Sequence, residues 1–184
     1  MTTPIQFYLK NYNLVFYHIT KCAMTSIVHS RQLGIEATPT NKIPRDSKTF
    51  CILRDPFDRA ISSYFHLKKH KFRNMNTEQY FKKLNNEGFF DSHCWPQLYF
   101  LNYNSNFLNP KWRERKLCDV DYFIDFNDIN HGLSRITGDD IKIGKLNIGM
   151  GRSRNKLDFE KHRKEIDILY EVDYNLIKEV KFVR

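Results

Sequence analysis

The chain has 184 residues, of which 30 are Lys or Arg and 21 are Asp or Glu, so its formal net charge is +9. Hydrophobic residues make up 41% and charged residues 28%, a balance that excludes a disordered, collagen-like or coiled-coil chain and is typical of a globular domain. A positive surplus attracts anions such as nucleotides, nucleic acids and acidic sugars. The composition therefore favours an anionic ligand.

We expect neither a secretory leader nor a membrane anchor in this sequence. Its longest apolar runs, such as 14–19, are far shorter than the roughly 18 to 20 residues of a membrane-spanning helix. The cysteines lie 24 to 43 residues apart without a CxxC pair, which favours free thiols over a zinc or redox site. These cysteines are Cys22, Cys51, Cys94 and Cys118. We therefore expect a soluble intracellular protein, cytoplasmic or in another reducing compartment.

A strand, a loop and a helix are predicted at the start of the chain. The apolar and β-branched run at 14–19 is typical of a buried strand. Thr25 and Ser26 are suited to begin a helix, and Gly34 is suited to end it. Residues 35–48 contain two prolines and several polar residues, which together predict a loop.

A second unit of the same kind follows. Residues 49–53 predict another buried strand. Asp55 as N-cap, with Pro56 at the first helical position, predicts a helix that extends to about Lys69. One face of this helix is apolar. The polar residues of the opposite face are Arg59, Ser62, Ser63 and His66.

The remaining elements continue the alternation of strands and helices. The patterns predict helices at 77–84 and 92–103, a strand at 122–126, a short helix at 128–136 and a helix at 158–180 that is broken near Asp173. Surface loops are predicted at 104–116 and 139–155. No repeat or linker divides the chain. We therefore expect one α/β domain over residues 1–184, with a central, mostly parallel sheet flanked by helices.

The segment 19–26, between the first strand and its helix, reads Ile-Thr-Lys-Cys-Ala-Met-Thr-Ser. Amide groups and the helix dipole favour an anion at such a position. It is not a Walker A loop, because it has no glycine and Lys21 precedes Thr25 by four residues. Taken alone this signal is weak, and a surface lysine beside an ordinary helix start is the commoner explanation.

A second polar constellation begins where the strand at 49–53 ends. Arg54 follows that strand and Ser62 lies two turns into the next helix, so a guanidinium and a hydroxyl can converge on a phosphate. The alternative is structural: Arg54 and Arg59 pair with Asp55 and Asp58 at a solvated helix start. The segment by itself leaves both interpretations open.

Together, in this order and about 30 residues apart, the two segments resemble the paired signature of sulfotransferases that use 3′-phosphoadenosine 5′-phosphosulfate (PAPS). In that family the first loop holds the 5′-phosphosulfate, and an R-D-P-x-x-R-x-x-S-x-Y segment holds the 3′-phosphate. The matching residues here are Arg54, Asp55, Pro56, Arg59, Ser62 and Tyr64. Thr20 and Met24 stand where the family commonly has proline and a small residue.

The resemblance is closest to the carbohydrate-type branch of that family. Residues 91–97, Asp-Ser-His-Cys-Trp-Pro-Gln, are similar to its His-x-Trp-x-Pro-Gln-like segment. The segments at 120–129, 146–147 and 169–174 follow the order of the same branch, so the resemblance extends from about residue 12 to 178. It implies a P-loop-like three-layer fold and transfer of a sulfuryl group from PAPS to a hydroxyl, with a carbohydrate as the expected acceptor.

The resemblance also implies roles for individual residues. The implied donor-binding residues are Lys21, Cys22, Ala23, Met24, Thr25, Ser26, Arg54, Ser62, Arg152 and Arg154. Lys21 is in addition expected to stabilise the leaving phosphate. His93 is our first choice as the base, because imidazole titrates near neutrality and this residue lies in the family-like segment. His66, Asp91 and Glu78 remain alternatives, and no metal is expected because the donor leaves as a nucleotide anion.

Two further classes of function stay open at this point. A kinase-like nucleotide enzyme would be expected to have a glycine-rich loop and a carboxylate that holds Mg²⁺. A noncatalytic polyanion or nucleic-acid binder is favoured only by the net charge and by the basic stretches 68–73 and 111–116. The glycines of the first class are absent, and the second would not require Lys21, Arg54 and Ser62 at these positions, so we rank both below the sulfotransferase.

Overall fold

The computed structural model describes residues 5–39, 42–101, 120–144 and 158–184. Its strands are β1 (Ile5–Leu9), β2 (Leu14–Tyr17), β3 (Ile35–Pro39), β4 (Lys48–Leu53) and β5 (Tyr122–Asp125). They form one sheet in the order β3-β1-β2-β4-β5. β2, β4 and β5 are parallel neighbours, whereas β1 pairs antiparallel with both β2 and β3. The sheet is therefore mixed, and its parallel part consists of the three predicted strands.

Helices flank this sheet, so the chain has the predicted α/β class. They are α1 (Met24–Val28), α2 (Pro56–His70), α3 (Thr77–Glu87), α4 (Ile129–Thr137), α5 (Arg163–Leu169) and α6 (Glu171–Glu179). Short helical turns occupy Lys10–Tyr12, Phe126–Asp128, 97–101 and 158–160. Within the four described stretches, no helix has the length and apolar character needed to cross a membrane.

Helix α2 follows its prediction closely. The Asp55 side chain accepts a hydrogen bond from the Asp58 amide at 2.9 Å, and Pro56 occupies the first helical position. Its apolar residues Phe57, Ala60, Ile61, Tyr64 and Leu67 are buried in a cluster shared with residues of α3 and α5. The polar face is buried too, because Arg59, Ser62 and Ser63 are at most 5% exposed. This helix is thus enclosed on both faces near its start.

The outer, antiparallel part of the sheet differs from the sequence prediction. A loop is predicted at 35–48, but residues 35–39 form β3, and no strand is predicted where β1 lies. β3 is an edge strand, and edge strands are commonly short and interrupted by charge or proline. Its sequence, Ile-Glu-Ala-Thr-Pro, has that character and so carries a weak strand pattern.

Helical boundaries also differ at three places. α1 ends at Val28 instead of continuing to residue 33, and turns then carry the fully buried Leu33 into the core. A helix of five residues depends on tertiary packing rather than on intrinsic propensity. The segment predicted to be helical from residue 92 forms turns as far as Pro96. The predicted helix 158–180 is broken at 161–162 and at Tyr170 instead of near Asp173. The predicted loop 104–116, and the part of the predicted loop 139–155 that follows residue 144, lie outside the described residues.

The contact between α4 and β5 requires a glycine. A Cβ atom at Gly132 would lie only 2.6 Å from Cγ2 of Ile124, which is fully buried in β5. The absence of a side chain therefore lets α4 approach the sheet closely. On its other side β5 pairs in parallel with β4, the strand that Arg54 follows.

Candidate active site

The two polar segments meet at the C-terminal edge of the parallel strands. β2 and β4 are adjacent and parallel, so the loop that follows β2 lies beside the residues that follow β4. The Nη1 atom of Arg54 donates a hydrogen bond to the Lys21 carbonyl oxygen at 3.1 Å. Residues 33 positions apart in the sequence thus lie in direct contact.

The loop after β2 has an uncommon backbone conformation. Lys21 and Ala23 have φ angles of +66° and +62°, in the left-handed region that residues with a Cβ atom rarely adopt. Besides the bond from Arg54, the loop is held by Arg59, whose Nε donates to the Thr20 carbonyl at 3.1 Å and whose Nη2 donates to the Thr20 hydroxyl at 3.4 Å. The two arginines therefore fix a strained backbone, a situation that recurs at functional sites.

Both arginines are buried, which argues against the structural alternative from the sequence. Arg54 is 7% exposed and Arg59 is fully buried, so neither lies at a solvated helix start. The guanidinium of Arg54 also stacks over the Phe126 ring, with 4.3 Å between Cζ and the ring centroid. Asp55 has the separate task of capping α2. Hydrogen bonds from both arginines reach the loop after β2.

The Gln97 side chain forms hydrogen bonds with residues of both segments of the site. Its Oε1 accepts the Arg54 amide at 2.9 Å, and its Nε2 donates to the Arg54 carbonyl at 2.8 Å. The Cys22 thiol donates to the same Oε1 at 3.2 Å. Burial raises the pKa of Cys22 to about 11, so this group remains a thiol near neutrality. One fully buried side-chain amide thereby connects the loop after β2 to the residue that follows β4.

Asp173 in turn positions Gln97. Its carboxylate accepts the backbone amides of Gln97 and Leu98 at 2.8 and 3.0 Å, where the helical turn 97–101 begins. Burial raises the pKa of Asp173, although the charge of Arg59 and these amide bonds oppose the rise. Sequence reasoning gave neither Gln97 nor Asp173 a role. The available signal was an acid at 173 within an apolar helical pattern, which indicates a buried carboxylate with partners.

A histidine cluster lies beside this loop. The rings of His66 and His93 stack with their centroids 4.0 Å apart, and the centroids of His66 and His70 are 4.6 Å apart. Nδ1 of His93 lies 2.7 Å from Oδ1 of Asp91, which also accepts the His93 amide at 2.9 Å. Lys71 forms an ion pair with the second carboxylate oxygen of Asp91.

The charges of the cluster are coupled to Lys21. The pKa of His66 is lowered to about 4, chiefly by burial and also by the nearby His93, Lys21 and His70, while Asp91 opposes the shift. The Lys21 ammonium therefore acts directly on the histidine cluster. Burial raises the pKa of Asp91, but hydrogen bonds from Lys71 and His93 outweigh this effect and bring it to about 2. Asp91 is consequently a carboxylate throughout the neutral range.

The other candidate residues have less defined surroundings. Met24, Thr25 and Ser26 form the first turn of α1 and are half-buried. Ser62 is 5% exposed on the buried polar face of α2. Glu78 begins α3, where its largely exposed side chain pairs with Lys161 at 3.7 Å, so the structure does not bring it into the histidine cluster. Arg152, Arg154 and Cys118 lie outside the described residues, and Cys22, Cys51 and Cys94 are buried free thiols.

Comparison with known proteins identifies no relative. No family model, no curated protein and no solved structure matches the chain. In the part of the chain that the structure describes, no group of three or more His, Cys, Asp or Glu side chains is arranged to hold a metal ion. The function must accordingly be argued from the residues of this chain.

Proposed function

We propose that the chain is a PAPS-dependent sulfotransferase that transfers a sulfuryl group to a hydroxyl, with a carbohydrate as the expected acceptor. The observation that carries this proposal is the hydrogen bond from Arg54 to the Lys21 carbonyl at the C-terminal edge of two adjacent parallel strands. The same edge is where open α/β sheets bind nucleotides. The proposal includes a single domain with a P-loop-like three-layer arrangement. The sheet with helices beside it is the observation that supports this part of the proposal.

The donor is expected to bind along the two segments that meet there. Lys21, Thr25 and Ser26 supply a positive charge and two hydroxyls near the start of α1, which suits the phosphosulfate group. Arg54 and Ser62 are assigned to the 3′-phosphate, because a guanidinium can bind phosphate with two parallel hydrogen bonds. Since Arg54 also bonds the Lys21 carbonyl, recognition of the 3′-phosphate and the position of Lys21 are linked through one side chain.

The reaction requires one bond to break and one to form. The acceptor oxygen forms a bond to sulfur, while the bond between sulfur and the 5′-phosphate oxygen breaks and leaves its electron pair on adenosine 3′,5′-bisphosphate. The Lys21 ammonium stabilises the negative charge that develops on this oxygen. A base accepts the hydroxyl proton, and His93 is our candidate because its ring lies next to His66, on which the charge of Lys21 acts.

The kinase-like alternative is less well supported. Walker A loops use glycines so that their backbone can surround phosphates. Here the left-handed positions of the loop are occupied by Lys21 and Ala23. A binder of nucleic acid or another polyanion would account for the net charge of +9 but not for two buried arginines that hold one loop.

A thermal-shift comparison separates these functions. The protein is melted with adenosine 3′,5′-bisphosphate, with ATP and Mg²⁺, and with a short DNA duplex, each at the same concentration. A ligand that binds only the folded state raises the melting temperature. We expect the bisphosphate to give the largest increase and to need no metal. A larger increase with ATP and Mg²⁺ would favour a kinase-like enzyme, and one with DNA alone would favour a nucleic-acid binder.

A further inference from the structure

Asp91 holds the ring of His93 in one orientation. A single oxygen, Oδ1, accepts the His93 amide at 2.9 Å and faces its Nδ1 at 2.7 Å. The Asp91 side chain is 8% exposed, and its other oxygen is bound by Lys71. A carboxylate fixed at both oxygens can accept a hydrogen bond but has little freedom to turn away.

From this geometry we propose that Asp91, clamped by Lys71, is a positioning residue that keeps neutral His93 protonated at Nδ1, so that Nε2 is the atom that accepts the acceptor's proton. The inference rests on the proposed function for the identity of that proton. A base oriented by a third group is a recurring arrangement in enzymes that activate hydroxyls. The carboxylate also stabilises the imidazolium that forms after the proton has been taken.

This assignment changes the role that the sequence left open for Asp91. A carboxylate with a pKa of about 2 is a weak base at neutral pH, so Asp91 is poorly suited to take the proton itself. His66 is similarly unsuited, because its pKa of about 4 reflects an environment that disfavours the protonated ring. The groups that act on His66 are His93, Lys21, His70 and Asp91, and Lys71 is paired with Asp91. Among the residues that the structure describes, His93 is the one of the two stacked rings with a carboxylate at Nδ1.

The orientation can be measured directly by nuclear magnetic resonance on the full chain labelled with ¹⁵N at histidine. Two-bond correlations distinguish a ring protonated at Nδ1 from one protonated at Nε2, and His93→Gln identifies the signal. We expect the Nδ1–H form in the wild type and a loss of that preference in Asp91→Asn. A wild-type ring protonated at Nε2 would overturn the proposal without any variant having to fold.

Kinetics test the catalytic consequence. Asp91→Asn is expected to lower kcat by at least about 10² and up to the roughly 10⁴ that loss of such an orienting carboxylate costs, while binding of adenosine 3′,5′-bisphosphate changes less than about twofold. The matched control is Glu165→Gln. Its carboxylate faces Nδ1 of His162 at the same 2.7 Å, and that ring stacks on Phe81. The control should retain wild-type turnover.

Two failures are distinguishable in this design. Full turnover in Asp91→Asn would overturn the positioning role and leave the sulfotransferase proposal intact. A wild type that neither binds the bisphosphate nor transfers sulfate would contradict the proposed function, and the tautomer of His93 would then decide the orienting role of Asp91 on its own.

Discussion

Nη1 of Arg54 lies 3.1 Å from the carbonyl oxygen of Lys21, so the residue that follows β4 holds the loop that follows β2. The bond joins the two segments whose combination resembles the sulfotransferase signature. The donor, Arg54, is buried with 7% of its surface exposed, and the acceptor, Lys21, has a left-handed backbone conformation. The position of Lys21 is therefore set by Arg54 as well as by the local sequence.

Replacement of Lys21 by alanine should lower turnover much more than donor affinity. Its charge is needed most when the bond between sulfur and the phosphate oxygen breaks, so its loss acts on the transition state. Removal of such a preorganised contact typically costs on the order of 10² to 10³ in rate. The measurement is kcat for sulfate transfer beside the Kd for adenosine 3′,5′-bisphosphate.

The control for this substitution is Lys142→Ala. Lys142 is an exposed lysine that pairs with Asp140, and its removal should change neither quantity. Equal losses of turnover and affinity in Lys21→Ala would show that Lys21 is a simple phosphate clamp.

Arg54→Ala and Ser62→Ala should weaken selection for the 3′-phosphate. We expect wild type to prefer PAPS strongly over adenosine 5′-phosphosulfate, and each variant to lose part of that preference. A hydrogen bond from a charged group contributes roughly 1.5 to 3 kcal/mol, so Arg54→Ala should lose more than Ser62→Ala. The ratio of kcat/KM for the two donors measures this effect independently of overall destabilisation.

Ser63→Ala is the matched control for Ser62→Ala. The Ser63 hydroxyl donates to the carbonyls of Arg59 and His93, so its loss affects packing on the same helix. It should leave the preference between the donors unchanged. If Arg54→Ala and Ser62→Ala kept the wild-type ratio, as Ser63→Ala is expected to, the assigned 3′-phosphate site would be wrong.

Ala23→Gly should stabilise the protein. Ala23 has φ +62°, and a left-handed conformation costs a residue with a Cβ atom about 1 to 2 kcal/mol. Glycine removes this cost, so we expect the free energy of unfolding to rise by about 1 kcal/mol in urea denaturation. The same substitution at Ala60, inside α2, should lower it by at least about 1 kcal/mol. A decrease at both positions would mean that Ala23 is not strained.

Stability should increase with pH across the range in which His66 titrates. Its pKa is about 4 in the folded chain and 6.5 when unperturbed, so between these values the unfolded chain binds more protons. The free energy of unfolding should therefore fall as the pH drops from about 6.5 to about 4, and change little through this group above 6.5. Urea denaturation at several pH values measures this dependence.

His66→Gln removes the titrating ring and should reduce the dependence in that window. The charges that act on His66 are those of His93, Lys21, His70 and Asp91, and the substitution leaves all four in place. An unchanged loss of stability in acid would place its origin in other groups.

The parallel strands and α2 were predictable because their signals are local and strong. Apolar runs of β-branched and aromatic residues identify β2, β4 and β5, and an Asp-Pro pair identifies the start of α2. The contact between the segments of Lys21 and Arg54 followed from topology, because adjacent parallel strands bring their C-terminal ends together. No local pattern indicated β1, whose pairing with β2 and β3 depends on contacts distant in sequence.

The surroundings of the site were predicted less well. Helical periodicity places Arg59 on the polar face of α2, a position usually exposed to solvent, yet Arg59 is fully buried because that face lies against the loop after β2. The network through Gln97 and Asp173 depends on contacts between residues 76 positions apart. Periodicity indicates which side of an element is polar, but it does not indicate what lies opposite.

Transfer of radioactive sulfur from labelled PAPS tests the central claim most directly. The purified protein is incubated, with a metal chelator present, with a panel of neutral, amino-sugar and uronate-containing glycans, and both labelled glycan and adenosine 3′,5′-bisphosphate are measured. We predict that at least one glycan gains label, that bisphosphate forms in equal amount, and that both are reduced by two orders of magnitude or more, about the cost of losing one preorganised charge, in Lys21→Ala. If no glycan gains label and no bisphosphate forms, or if Lys21→Ala is as active as wild type, the account is contradicted.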